Sequence, residues 1–148
     1  MKIFVKLVVM GILSGLVLGG YLKIVEQLTA KQVYTLLLNV DYLPIIQDWS
    51  LSEIQEFSLH MVVSVWLAIA LYFILGSDKI FPYVILSVLI GALLYLTTVL
   101  SDQTPLLTDT AAFVYWLMGH LIYGIIIGIL ASQVGIDRNE EKNEKSNN

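Results

Sequence analysis

Two histidines and three glutamates carry most of what this chain offers to chemistry. His120 stands in the middle of residues 111–132, AAFVYWLMGHLIYGIIIGILAS, where no other side chain titrates near neutral pH. An imidazole so far from any charge suits a proton relay, a metal ligand or a contact to a bound solute, because it changes protonation near physiological pH and coordinates well. The plainer role is a hydrogen bond between helices, with Ser64, Tyr95, Thr97, Thr98 or a backbone carbonyl as partner. Glu53, Glu56 and His60 follow a second pattern, i, i+3 and i+7, which places them on one helical face with Ser64 extending the stripe. With Glu26 they make a candidate vestibule for a cation or small solute. The competing reading is that acids in a first helical turn complement the helix dipole, and that Glu56 and His60 form an ordinary i, i+4 pair. Lys23, three residues before Glu26, is spaced for a local ion pair. These groups suggest no resident metal or cofactor. A haem held by His60 and His120 would need both at one depth, and their helical positions differ by several residues.

Soluble enzyme chemistry has no footing in the sequence. G-x-G-x-x-G, G-x-x-x-x-G-K, H-E-x-x-H and G-x-S-x-G are all missing. The chain has no cysteine, which excludes disulfides, thiolate metal sites and thiol catalysis. A net charge of −4 without a basic stripe argues against nucleic acid as a partner. The apolar segments hold no carboxylate, the usual coupling group of a proton-driven exporter.

The elements that must position these residues are membrane spans. With 57% apolar and only 14% charged residues in 148, the chain has too much apolar surface for a soluble domain. Residues 111–132 make a helix of roughly 33 Å at about 1.5 Å per residue, enough to cross a hydrocarbon core of about 30 Å. Three further spans are predicted at about 3–22, 57–75 and 80–100, giving an all-α membrane domain over 1–135 with an outer loop at 23–56. The first apolar run also resembles a secretory signal, but it continues to Leu22 and is read as a retained helix. Residues 136–148 have almost no apolar content and are predicted to be a disordered cytoplasmic tail. Gly11, Gly15 and Gly19 in the first span, and Gly124 and Gly128 below His120 in the fourth, recur every four residues. Such stripes suit close helix packing, so the glycine faces of the first and fourth helices are expected to pack closely. Trp66, Trp116 and Tyr123 are expected to fill core space.

Within the outer loop, Thr29 is placed to cap a short amphipathic helix over 30–39. Tyr42 and Trp49 suit the membrane interface. Ser50 and Glu53 have capping-box spacing, so the second span's helix should start near Leu51. Gly76 stops it, Ser77 or Asp78 caps the third, and Asp109 or Thr108 caps the fourth. Lys2, Lys6, Lys79, Arg138, Lys142 and Lys145 fall on one side, against Lys23 and Lys31 on the other. That bias puts both termini in the cytoplasm.

The triple glycine repeat followed by Lys23 and Glu26, with Gly119-His120 late in an apolar helix, resembles the YagU-type small inner-membrane proteins of bacteria. The resemblance implies a multi-pass protein of a bacterial plasma membrane without a defined activity, and it carries no functional residues across. The leading expectation is a non-catalytic protein that associates with lipid, with itself or with another membrane protein. The alternative is an oligomeric transporter of a small solute or cation, using the acidic vestibule and His120.

Overall fold

A computed structural model describes residues 2–40, 51–76 and 79–146, with side chains described over 3–40, 51–76 and 79–135. Tyr42, Trp49, Ser50, Ser77 and Asp78 lie outside the described residues. The described chain is α-helical: α1 (Lys2–Thr29), α2 (Val33–Leu38), α3 (Glu53–Leu75), α4 (Phe81–Tyr95) and α5 (Thr110–Ser146). Four segments are long and apolar enough to cross a membrane: Ile3–Thr29, Glu53–Leu75, Phe81–Leu100 and Thr110–Gly135. Large apolar side chains stand outward along all of them, including Phe4, Val63, Phe73, Leu93 and Met118, as lipid-facing helices require. The protein is a multi-pass, all-α membrane protein.

Helix ends differ from the expected ones for local reasons. α1 runs seven residues beyond Leu22, because Lys23, Glu26 and Gln27 favour helix and no breaker intervenes. It ends where Ala30 takes the left-handed conformation at φ 57°, its N–H donating to the Glu26 carbonyl at 2.8 Å. Thr29 therefore closes α1, its hydroxyl donating to the Val25 carbonyl at 2.7 Å, and does not cap α2 as expected. α3 starts at Glu53, where the Gln55 side-chain oxygen accepts from the Ser52 N–H at 2.9 Å and the Ser52 hydroxyl at 3.0 Å. The reciprocal cap thus falls two residues later than the spacing of Ser50 and Glu53 suggested. Pro82 sits in the first turn of α4, where its missing N–H costs nothing, and the last turn of that span tightens into a 3₁₀ segment, Leu96–Leu100. Asp109 Oδ1 accepts from the Ala112 N–H at 3.1 Å and caps α5. α5 continues to Ser146, so the backbone of 136–146 is helical where composition predicted disorder. Extension of an existing helix needs no new nucleus, and the Glu, Lys and Arg residues there are strong helix formers.

The spanning helices are arranged side by side in the order α3, α1, α5, α4, with α3 and α4 making little contact across the remaining side. The glycines explain the tight pairs. A Cβ on Gly11 would sit 2.5 Å from the Val65 Cα, and one on Gly15 2.7 Å from the Ser64 Oγ, so both glycines let α1 lie against α3. On α5, a Cβ on Gly124 would meet the Val84 Cα at 2.8 Å and one on Gly128 the Ile80 Cγ2 at 2.7 Å, both on or beside α4. The two glycine faces pack closely, but each against its own flanking helix and not against the other. α1 and α5 meet through Gly119, whose missing side chain leaves room for Leu18 and Leu22. Tyr83, Tyr95, Tyr123 and Trp116 fill the interior, whereas Trp66 is 68% exposed and faces outward, contrary to its expected core role.

Candidate functional site

At the end of the bundle that carries α2, the charged residues are tied into the fold. Glu26 does not pair with Lys23. Its Oε2 accepts the N–H groups of Tyr34 at 2.7 Å and Thr35 at 2.9 Å, and its Oε1 accepts the Thr35 hydroxyl at 2.8 Å. A side chain of α1 thereby satisfies the first amides of α2, a one-and-a-half-turn helix with no side-chain cap of its own. Lys23 instead donates to Glu53 Oε1 on α3, which also accepts the Tyr34 hydroxyl at 3.1 Å. The Tyr34 phenol is pushed up to about 12 by burial and by its hydrogen bond to the Glu53 carboxylate. Lys31 reaches Asp109 at 2.7 Å and ties the α1–α2 turn to the start of α5. That ammonium and the Ala112 N–H hold the Asp109 carboxyl below the usual carboxylate range.

The expected vestibule residues do share one cleft. Glu26, Glu53 and Glu56 line it together with Lys23, Asn39 and Gln103, around a volume of about 400 Å³. His60 lies outside it, deeper along α3. Among the described residues no three His, Asp or Glu side chains converge as metal ligands.

His60 and His120, the candidate polar pair of the membrane spans, line the same cavity inside the bundle. Its volume is about 130 Å³, and its surroundings are mostly apolar: Leu59, Val63 and Leu67 from α3, Leu94 and Thr97 from the α4 span, Leu18 from α1. Leu36, Leu38 and Asn39 of the α2 region form its cover. Ser64, Trp116 and Tyr123 complete the polar floor around the imidazoles. Leu38, Asn39 and Glu56 border both this cavity and the charged cleft, so the two spaces adjoin. Leu59, Val63 and Leu94 are between 39% and 59% exposed, and the cavity meets the apolar surface between α3 and α4.

The floor is locally ordered by hydrogen bonds that sequence spacing only partly foretold. His120 bonds none of the side chains expected for it. Its Nδ1 lies 3.0 Å from the Trp116 carbonyl oxygen one turn earlier, and since a carbonyl only accepts, Nδ1 carries the proton. The Trp116 indole N–H donates to the Gly91 carbonyl at 2.7 Å, and the indole and imidazole rings lie 4.7 Å apart. Gly91 is what admits the imidazole, since a Cβ there would lie 2.4 Å from the His120 ring. Ser64 donates to the Gly11 carbonyl at 2.7 Å, and the Tyr123 hydroxyl donates to the Ser64 carbonyl at 3.1 Å. These two hydroxyls bolt α1, α3 and α5 together. Trp116 was missed as a site residue, although its i, i+4 spacing to His120 was legible; Leu38 and Asn39 had no signal, since only the folding back of α2 brings them to the cavity.

Comparison with protein-family models, with curated proteins and with solved structures finds no match to this chain.

Proposed function

We propose that this is a non-catalytic membrane protein that takes up an amphiphilic molecule from the bilayer into the cavity between α3 and α4. One observation carries the reading: the bundle is sealed along three sides and unsealed along the fourth, where a space with apolar walls and an imidazole floor meets the lipid-facing surface. Small-molecule sites have this composition, mostly apolar with a few placed polar groups. The glycine stripes, which made self-association attractive, are occupied within the chain by α3 and α4. A nucleophile beside either histidine, which catalysis on a lipid would require, is missing among the described residues: the Ser64 hydroxyl is already committed to the Gly11 carbonyl.

The bias of basic residues supports an orientation with α2 on the outer side, and the resemblance to YagU-type proteins supports a bacterial plasma membrane. The transport reading draws on the cleft that adjoins the cavity through Glu56 and Asn39. Beyond the cavity floor, however, the Ser64–Tyr123 contact and the Gly124 seam are tightly packed, and they close the cavity on that side among the described residues.

Native mass spectrometry of the gently extracted protein tests the proposal when paired with Val63→Trp, which puts an indole into the slot from an already exposed position. The expected result is a small amphiphilic adduct on the unmodified protein that Val63→Trp loses. Adducts absent from both, or retained by the variant, would refute it.

A further inference from the structure

Resting on that reading, we infer that the cavity selects a hydroxyl-bearing ring, of the alkylphenol type, over the same ring lacking the hydroxyl hydrogen. The selector is His120. With Nδ1–H given to the Trp116 carbonyl, the neutral imidazole presents only a lone pair at Nε2, which is able to accept and unable to donate. A ligand carbonyl, ether or quaternary ammonium has no hydrogen to offer this nitrogen. An O–H group has. The neighbouring hydroxyls do not substitute, since Ser64 and Tyr123 direct their hydrogens to backbone carbonyls. His60 adds a second imidazole to the cavity wall, its Nε2 buried and without a partner among the described residues. A buried polar atom left unpaired costs free energy, and a ligand group that pairs with it recovers that cost.

Size argues for a ring. The space of about 130 Å³ is close to that of the apolar protein cavity of about 150 Å³ that binds benzene. The Trp116 indole beside His120 offers an aromatic wall for such a ring. An alkyl substituent can leave between the exposed Val63 and Leu94, into the lipid-facing surface.

The experiment titrates 4-hexylphenol and its methyl ether, 4-hexylanisole, into the protein in lipid nanodiscs, reading Trp116 fluorescence with Trp49 and Trp66 replaced by Phe. The expected result is saturable binding of both, with the phenol preferred by about tenfold, the range of one hydrogen bond to a buried acceptor. His120→Leu should erase the preference while keeping the anisole, and His120→Gln, which restores an acceptor oxygen, should recover part of it. Equal binding of the two probes by the unmodified protein overturns the selection for a donor and leaves the cavity reading standing. No saturable binding of either, with Val63→Trp indistinguishable from the unmodified protein, overturns both.

Discussion

The α1–α3 seam and the α3–α4 side are opposite solutions on the two faces of one helix. Toward α1, α3 meets glycine at three successive turns, Gly11, Gly15 and Gly19, where the Val65 backbone and the Ser64 and Phe57 side chains leave no room for a Cβ. Toward α4 it presents Leu59, Val63 and Leu67 to a space that the neighbouring helix does not fill. Between apolar helices in lipid there is no hydrophobic gain from contact, so close packing and hydrogen bonds decide which faces join. The chain places small residues where it closes and branched apolar residues where it stays open. The uptake proposed above assigns the occupant to the one face that the chain leaves unclosed.

The largest effect that sharpens this contrast is expected from the closed seam. Gly11→Leu drives a side chain into the Val65 backbone and should destabilise the bundle by about 3 kcal/mol or more, as overpacked or displaced helices do. Gly20→Leu, one residue past the stripe with open space around it, should leave stability within about 0.5 kcal/mol. Thermal unfolding in detergent, followed by far-UV circular dichroism, measures both. If the two variants unfold alike, the seam is not what holds α1 to α3.

Loosening the cover comes next. Glu26→Ala removes three hydrogen bonds from the α2 N-terminus and should raise amide exchange across Val33–Leu38 by at least about tenfold, while α3 and α5 stay protected. Exchange that rises equally in all helices would mean that Glu26 supports the whole bundle and not the cover alone.

The smallest effect belongs to Asp109. Its folded carboxyl titrates below its unfolded one, so the stability it adds is complete above the usual carboxylate range and is lost as pH falls through the folded value. Asp109→Asn keeps a capping oxygen but loses the charge opposite Lys31, and should cost about 1 kcal/mol or less at neutral pH. Melting temperatures of the two proteins should converge under acid conditions. A gap that stays constant with pH would show that the charge contributes nothing.

How much of this was legible follows the same physics. Span number and approximate length followed from hydropathy because lipid imposes both on any helix that crosses it. Which helix each glycine stripe meets did not, because a stripe every four residues marks a face without naming its partner. Glu26 illustrates a harder case. Spacing offered it Lys23, but the chain reversal at Ala30 brought the unsatisfied amides of Tyr34 and Thr35 within its reach, and those three donors outcompeted an exposed ammonium. His120 is the one histidine of the last span, and its hydrogen-bond partner is on its own helix, one turn back. The shared cavity with His60 depends on the α3–α1–α5–α4 order, which no local pattern encodes.

The connection around Gly76 gives that order a mechanical meaning. α3 ends there and α4 begins at Phe81, so a short connection joins the two helices bordering the slot at one end. Gly76 sits at φ 71°, and the Tyr83 hydroxyl, donating to its carbonyl, pins the joint to α4. With 23 residues, α3 is about 35 Å long, and its contacts with Gly11, Gly15 and Gly19 hold it to α1 along that length, so the slot keeps one fixed wall from the joint to the end beside α2.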